Sequence, residues 1–217
     1  MIKILIADDH AVVRRGLKQI LGEEPDVGLF GEAQNFKEVL ELVQKVDWDI
    51  IVLDISMPGK DGLEILKELK HKRPTFPVLI LSMHAENQYA IRALKAGAAG
   101  YITKESAPEE LVKAIRKVLG GGKYVSPSLA EKLASNLEAD TSKPPHEILS
   151  NREYQVMCML ASGKTSKEIA QGQSLSLKTI STYRARILKK MKMKSNAELI
   201  HYAIGNRLVD LKSQIVE

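Results

Sequence analysis

The chain has 217 residues, 44% of them hydrophobic, so it can form buried cores and is not a disordered chain. No apolar run reaches the roughly 18 residues of a membrane span, and the single cysteine, Cys158, excludes an intrachain disulfide and a cysteine-cluster metal site. The net charge of +5 is uneven, because residues 1–120 carry −1 and residues 121–217 carry +6, which favours a polyanionic partner for the second half.

Residues 1–120 alternate short apolar runs with longer amphipathic ones. The apolar runs predict strands at 2–7, 27–33, 50–53, 78–82 and 99–102. The amphipathic runs predict helices at 11–22, 36–46, 62–72, 86–96 and 107–119, with capping residues at Asp61 and Ser106. This alternation predicts an α/β domain with a five-stranded, doubly wound parallel sheet, whose ligands bind beyond the carboxyl ends of the strands.

The pattern changes after the fifth helix, which Gly120–Gly122 should stop. We expect a linker over 121–148 that has room for a short helix near 127–137. From Ser150 onward the chain has only helical patterns, whose starts fit capping residues at Ser150, Thr165, Ser176 and Ser195. The predicted domains are therefore an α/β domain over 1–120, the linker, and a small four-helix, all-α domain over 149–217.

Polar side chains follow four of the predicted strands, at the edge where such a sheet builds its site. Asp8 and Asp9 follow the first strand, Asp54 ends the third, Ser82 ends the fourth, and Lys104 lies just past the fifth. Three carboxylates repel one another unless cations lie among them, and Lys104 supplies only one positive charge. Oxygen ligands of this kind favour Mg²⁺.

The same arrangement suits phosphoryl transfer. Asp54 would then be the nucleophile, Asp8 and Asp9 would hold the metal, and Lys104 and Ser82 would bind the phosphoryl oxygens. An isolated aspartate at a strand end is usually a turn former or a helix cap, but five residues in register are hard to obtain by accident.

Two further interpretations of this edge stay open. A phosphatase with an aspartyl nucleophile would use the same carboxylates, but it should have a second acid two residues later, where this chain has Ser56. His10 and His84 also fall near the edge, and His10 could be a phosphoacceptor or a metal ligand. No second histidine lies at ligand spacing, so we assign both only as residues that line the site.

The predicted helix that starts after Ser176 is strongly basic. Between Ser176 and Lys194 there are seven Lys and Arg and no acid. Ile180, Ile187 and Met191 form an apolar stripe for docking on neighbouring helices, which leaves most cations on the other side. Such a helix fits the major groove of DNA. The alternatives are an ordinary solvated helix face, or a module that binds an acidic protein partner.

The first half resembles a response-regulator receiver domain, which has a flavodoxin-like fold. The resemblance rests on the motifs Asp8-Asp9-His10, Leu53-Asp54 with Pro58 and Gly62, Leu81-Ser82, and Gly97 to Lys104. It implies Mg²⁺-dependent transfer of phosphate from a sensor histidine kinase to Asp54, without enzymatic turnover of outside substrates. It also implies the backbone carbonyl of Ser56 as a metal ligand, and switch roles for Ser82 and Tyr101. The chain departs from many receivers at Glu105, where they have proline.

The second half resembles a LuxR-type helix-turn-helix, and the two halves together resemble the NarL/FixJ group of response regulators. The motifs are Leu149–Glu153, Leu160–Ala170, Ser176–Arg184 and Lys189–Leu199. The resemblance implies a phosphorylation-switched transcription regulator that binds double-stranded DNA as a homodimer. With a single cysteine in the chain, a cytoplasmic location is the default expectation.

The resemblance also implies roles for single residues of the second half. The residues it places at base edges are Ser181, Thr182 and Ala185, and those it places mostly at phosphates are Lys178, Thr179, Arg184 and Arg186. The dimer surface would be formed by Leu199, Ile200 and Ala203. The chain departs from the family pattern at Gly172, Gln173 and Tyr183, so the helix before the turn is expected to end early or pack differently.

Overall fold

The computed structural model describes residues 1–57, 62–83, 86–138, 144–173, 175–206 and 208–209. The predicted cap Asp61, the motif residue Pro58 and the site-lining His84 lie outside these ranges. Two compact units form, Met1–Glu138 and Ala139–Glu217. Within the described ranges, no helix has both the length and the apolar character needed to cross a membrane.

The first unit contains five parallel strands in the order β2-β1-β3-β4-β5. The strands are β1 Ile2–Ala7, β2 Val27–Ala33, β3 Ile50–Asp54, β4 Val78–Ser82 and β5 Gly100–Thr103. The helices are α1 Ala11–Gly22, α2 Phe36–Lys45, α3 Gly62–Lys72, α4 Glu86–Lys95, α5 Ala107–Leu119 and α6 Pro127–Glu138. This architecture confirms the predicted doubly wound parallel sheet.

The central strands explain why the sheet is parallel and covered on both faces. Every residue of β3 and of β4 is buried, as their unbroken apolar sequences require. One core cluster joins Ile4, Leu81 and Ile102 of the strands with Leu17 of α1 and Leu111 of α5. The burial of both faces leaves the strand ends as the place where polar side chains can gather.

The first unit extends past residue 120, because the segment after α5 returns to the sheet. Tyr124 forms a parallel bridge with Gly100 at the edge of β5, and α6 then packs against α4.

The predicted cap of α5 does not form: the Ser106 hydroxyl donates to the main-chain oxygen of Thr103 instead of accepting from Glu109.

The second unit is all-helical, as predicted. A short 3₁₀ helix, Pro145–Ile148, precedes α7 Asn151–Ala161, α8 Ser166–Gly172, α9 Leu177–Met191 and α10 Asn196–Gly205. All four α-helices begin at the predicted caps, and Ser150 and Thr165 form the complete reciprocal capping pair with the glutamate three residues on. At Ser195 only half of the pair forms, because Glu198 accepts from the main chain of Lys194.

Candidate functional site

The predicted acidic residues meet at the carboxyl edge of the sheet. Ala7 is in register with Leu53, so the residues that follow, Asp8 and Asp54, are neighbours on adjacent strands. Both carboxylates are fully buried, and the Asp9 side chain is 29% exposed at the rim. The fold therefore brings together the three acids that the sequence assigned to one site.

Lys104 lies between the two buried acids. Its Nζ is 2.6 Å from Oδ2 of Asp8 and 2.6 Å from Oδ2 of Asp54. The main-chain N–H of Lys104 donates to the carbonyl of Ser82 at 2.8 Å, which fixes the end of β5 to the end of β4. The other oxygen of Asp54 accepts from the main-chain N–H of Ser56 at 2.7 Å.

Burial and charge act in opposite directions on the ionisation of this cluster. Burial raises the pKa of Asp54, and the attraction of Lys104 offsets only part of that effect, while repulsion by Asp8 adds to it. Burial alone would lower the pKa of Lys104, but the interactions with Asp54 and Asp8 outweigh it and the pKa is raised. The Lys104 ammonium therefore stays charged between the two buried carboxyl groups.

The donor set fits a hard divalent cation. Ligand atoms of Asp8, Asp9, His10 and Asp54 all lie within 4.8 Å of one another. One ammonium cannot balance three carboxylates, and oxygen ligands at this spacing suit Mg²⁺. His10 is mostly exposed, and its Nδ1 lies 2.9 Å from Oδ1 of Asp9, so it lines the site at the rim.

Asp54 is buried and both of its carboxylate oxygens have partners. The Lys104 side chain itself is 8% exposed, so it forms the outer boundary of the buried acids.

The two predicted switch residues are buried together. Ser82 and Tyr101 have no exposed surface, and they share a side-chain hydrogen bond. Burial raises the pKa of the Tyr101 phenol above its usual range. In this structure the Tyr101 ring therefore already points into the protein, towards the end of β4.

Arg14 adjoins the acid cluster, although it was not predicted as a site residue. This arginine is buried on α1, and its NH1 donates to the main-chain carbonyl of Asp8 at 2.8 Å. It shares the buried face of α1 with Leu17 and Leu21. The sequence did contain a signal for this role, because Arg14 lies at helical spacing from two leucines on the apolar face of α1. An arginine on such a face is buried, and a buried arginine seldom lacks several partners.

In the second unit, α9 separates an apolar face from a basic one. Ile180, Ile187 and Met191 are buried against neighbouring helices. The residues predicted to contact DNA are exposed except for the half-buried Thr179; the exposed ones are Lys178, Ser181, Thr182, Arg184, Ala185 and Arg186. Ser181 and Thr182 lie four and three residues before Ala185, so each shares a face of the helix with it.

Two cations of α9 have partners within the unit. The Arg184 Nε donates to Oδ1 of Asn196 at 2.7 Å, which holds the guanidinium near the start of α10. Lys190 contacts the buried carboxylate of Glu153 at 2.6 Å. Arg184 is thus oriented in advance of any ligand, whereas Lys190 has a structural role.

The unusual Gln173 ends α8 and joins a polar contact. It is the residue after the last turn of α8, and its Oε1 accepts from NH1 of Arg152 at 3.0 Å. The same NH1 also donates to Gln155 of α7 at 2.9 Å. These hydrogen bonds hold the end of α8 against α7.

The predicted dimer residues need a correction. Leu199 is 1% exposed and Ala203 is fully buried, because α10 packs with this face on α7. Neither side chain is available to a partner, so the prediction was wrong for these two. Ile200 is half-buried and stays a prediction, and Ile204 is the large apolar side chain that α10 exposes, at 38%.

Comparison with known families and proteins covers almost the whole chain. The family described as response regulator receiver domain matches residues 4–116, and the family described as bacterial regulatory proteins, luxR family, matches residues 147–203. The chain is 34% identical over 214 residues to the response regulator UvrY of Escherichia coli (strain K12), with 98% of each chain covered. It is 36% identical over 214 residues to the response regulator GacA of Pseudomonas aeruginosa, with 98% of this chain and 100% of GacA covered.

Solved structures show the same architecture. RcsB from Salmonella enterica serovar Typhimurium, bound to promoter rprA in the presence of the phosphomimetic BeF3⁻, has a TM-score of 0.63 and 26% identity. The match covers 93% of this chain and 98% of that one. A structure of two RcsB dimers bound to two parallel DNAs has a TM-score of 0.59 and 27% identity, covering 94% and 98%.

Proposed function

Because the chain belongs to the response regulators that join a receiver domain to a LuxR-family DNA-binding domain, we propose that phosphorylation of Asp54 controls its binding to DNA. The receiver would span 1–120 and the DNA-binding domain 149–217, with a linker over 121–148. One observation carries the proposal: Lys104 lies 2.6 Å from both Asp8 and Asp54 in a buried acid cluster at the carboxyl edge of the sheet.

Each residue of this cluster would have a separate task. Oδ2 of Asp54 is the nucleophile, and the Ser56 N–H holds the other oxygen so that the carboxylate keeps one orientation. Once the phosphoryl group is on Asp54, Lys104 pairs with its oxygens instead of with Asp8. Ser82, whose main-chain carbonyl accepts from the N–H of Lys104, would donate its hydroxyl to the same group.

A magnesium ion fits the remaining charge. Asp8 and Asp9 would hold it together with Asp54 and the backbone carbonyl of Ser56. When bound there, Mg²⁺ supplies positive charge that offsets the phosphoryl oxygens during transfer. The phosphate source would be a sensor histidine kinase, as for two-component regulators in general.

The second unit supplies the output. The exposed basic face of α9 would lie in the major groove of double-stranded DNA, with Ser181, Thr182 and Ala185 at base edges. Lys178, Thr179, Arg184 and Arg186 would contact mainly phosphates. RcsB, the structural relative, binds DNA as dimers, and we propose the same assembly for this chain.

Phosphate uptake tests the proposal. We expect the full chain, incubated with a small phosphodonor and Mg²⁺, to gain one phosphate by intact-mass measurement. Asp54→Asn should gain none, since its amide is not a nucleophile. Asp9→Asn is a matched variant that keeps the nucleophile and should slow uptake. Equal uptake by the Asp54→Asn variant would move the phosphorylation site elsewhere.

A further inference from the structure

A buried arginine lies behind the acidic cluster. Arg14 of α1 has 7% of its side chain exposed, so its guanidinium needs partners inside the protein. It has two: NH1 donates to the main-chain carbonyl of Asp8 at 2.8 Å, and Nε donates to the carboxylate of Glu32 on β2 at 3.0 Å. Arg14 therefore connects the end of β1 to its neighbouring strand.

Glu32 is itself held in place by two cations. Its second carboxylate oxygen accepts from Nζ of Lys18 at 2.6 Å. The hydrogen bonds from Lys18 and Arg14 outweigh burial and lower the pKa of Glu32, so this anchor is ionised at neutral pH. An ionised and doubly bonded carboxylate is a firm support for the guanidinium.

Three of the four polar atoms of Asp8 have a hydrogen-bond partner, and the fourth, Oδ2, has only an ion-pair contact. Its N–H donates to the carbonyl of Ala33 at 3.1 Å, its carbonyl accepts from Arg14, and its Oδ1 accepts from the N–H of His10 at 2.8 Å. Its Oδ2 contacts Lys104, which a phosphate would draw away. The hydrogen bond from Arg14 to the carbonyl of Asp8 is then one of those that hold the chain in place at the end of β1.

We propose that Arg14 is a positioning residue for the metal ion. By holding the carbonyl of Asp8, it keeps the carboxylates of Asp8 and Asp9 at the spacing that a cation requires. This role rests on the proposed metal site. Residues that orient ligands in this way commonly change metal affinity by about 10-fold or more when they are replaced.

Arg14→Lys separates orientation from charge, because lysine keeps the charge but cannot donate in two fixed directions. We expect its Mg²⁺ dissociation constant, measured by calorimetric titration of the full chain without phosphodonor, to rise about 10-fold. Arg15→Lys is the matched control, since Arg15 is the exposed neighbour on the same helix. Glu32→Gln weakens the anchor and should raise the constant by a smaller factor, which provides a second test if Arg14→Lys does not fold.

The outcomes distinguish this role from the proposed function. If the wild type binds Mg²⁺ and the Arg14 and Glu32 variants bind it equally well, Arg14 only stabilises the fold, even if urea unfolds the variants earlier. If the wild type binds no Mg²⁺, the metal site itself is wrong and this role fails with it.

A different set of contacts joins the site to α6. Tyr124, after α5, donates its N–H to Ala99 at 2.9 Å and accepts from the N–H of Tyr101 at 3.3 Å. Gly100 makes this approach feasible, because a Cβ there would lie 2.8 Å from the Tyr124 carbonyl. The main chain of the predicted switch residue Tyr101 is therefore bonded to the segment that leads into α6.

The start of α6 is bonded to α4 as well. The hydroxyls of Ser126 and Ser128 donate to the carboxylate of Glu86, the latter at 3.2 Å. Ser126 also caps α6 by accepting from the N–H of Leu129, which is fully buried. A carboxylate at a helix N-terminus is favourable, so Glu86 stabilises α6 from outside that helix.

The contacts of Tyr124 and of Glu86 both involve elements that end or begin near Asp54. Tyr101 is on β5, three residues before Lys104, and Glu86 begins the helix that follows Ser82. We infer that residues 124–128 relay phosphorylation at Asp54 to α6, an inference that rests on the proposed function. A phosphate that draws Lys104 from Asp8 shifts the ends of β4 and β5 and weakens the contact of Glu86 with Ser126.

Hydrogen–deuterium exchange of the α6 amides in the full chain tests this relay. Glu86→Ala should exchange about 10-fold faster than wild type without any phosphate. Glu109→Ala, which removes an exposed acid from α5, should not. Phosphodonor with Mg²⁺ should speed exchange in the wild type but add little in Glu86→Ala.

If the α6 amides of unphosphorylated Glu86→Ala exchange as slowly as those of the wild type, Glu86 does not stabilise α6. That conclusion does not depend on whether Asp54 is the phosphorylation site. A phosphate confirmed by mass that leaves α6 exchange unchanged would overturn the relay and leave the proposed function intact. A chain that takes up no phosphate would overturn the proposed function and the relay together.

Discussion

The ammonium group of Lys104 is the one cation in contact with two fully buried carboxylates, Asp8 and Asp54, among the residues that the structure describes. Charges in such a place are tolerated because each has a partner, and removing one partner leaves the others uncompensated. The site therefore contributes stability through Lys104 while it stores repulsion among its acids.

Lys104→Gln should lower the free energy of unfolding at pH 7 by about 3 kcal/mol, the cost of breaking a buried ion pair. Urea unfolding followed by fluorescence of Trp48, the single tryptophan and buried in the first unit, measures it. Lys113→Gln, at an exposed position of α5, should change little. The double variant with Asp54→Asn should recover part of the loss; equal effects of Lys104→Gln and Lys113→Gln would contradict this account.

Glu153 makes the second unit sensitive to acid. Burial raises the pKa of Glu153, but the bonds from Lys190 and Ser150 outweigh it, and the pKa is lowered from 4.5. A lowered folded-state pKa means that the ionised carboxylate stabilises the fold above pH 4.5, and that this contribution is lost as the pH falls through the folded value. Glu153→Gln should thus be less stable than wild type at pH 7.

The difference in melting temperature between Glu153→Gln and wild type should shrink as the pH falls below 4.5, measured by calorimetry of the full chain. Glu168→Gln is a useful comparison, because Glu168 has the same position in a reciprocal cap but is exposed. A difference that stays constant down to pH 3 would rule out a titrating Glu153.

At the scale of elements, α3 starts so close to the end of β3 that its first residue must be glycine. The N–H of Gly62 donates to the carbonyl of Ile55 at 3.3 Å, and a Cβ on Gly62 would lie 2.3 Å from the Ile55 Cα. That distance is shorter than any side chain can adopt, so only glycine allows the first residue of α3 to lie this close to Ile55.

Gly62→Ala should lower the free energy of unfolding by about 1–3 kcal/mol, because the backbone of β3 or α3 must shift. Gly16→Ala is the matched control: Gly16 is inside α1, and a Cβ there meets nothing within 4 Å. Alanine is the better helix former, so this variant should gain about 0.5–1 kcal/mol. Urea unfolding of both variants compares them, and a loss in both would contradict the steric explanation.

For the molecule as a whole, the two halves of the chain differ in net charge, and each charge suits a different task. The nearly neutral first half forms an acid site inside a sheet, and the basic second half presents its cations along α9. Binding of such a face to a duplex releases counterions from DNA phosphates, so its affinity depends on salt.

Arg184→Ala and Arg186→Ala should each weaken binding to duplex DNA at all sequences, and each should reduce the slope of log affinity against log salt by about 1. Fluorescence anisotropy over a range of salt concentrations measures both effects. Lys113→Ala removes a similar charge from the first unit and should leave the slope unchanged. Full-strength binding by both arginine variants would remove α9 from the interface.

The sequence by itself determined the elements and their order. All five strands and the five helices of residues 1–120 begin and end within one residue of their predicted positions, because buried parallel strands require continuous apolar runs and surface helices require a 3.6-residue period. The acids, Ser82 and Lys104 could be placed at one edge for the same reason, since the carboxyl ends of parallel strands point the same way.

Only the tertiary structure decided which faces meet. The sequence did not reveal that Arg14 supports Asp8, that Lys190 serves Glu153, or that Leu199 and Ala203 are used inside the domain. Each of these depends on contacts between residues distant along the chain, and a helical period identifies an apolar stripe without naming the surface that covers it. Local patterns fix the elements, whereas packing assigns each side chain to a core, a site or a free surface.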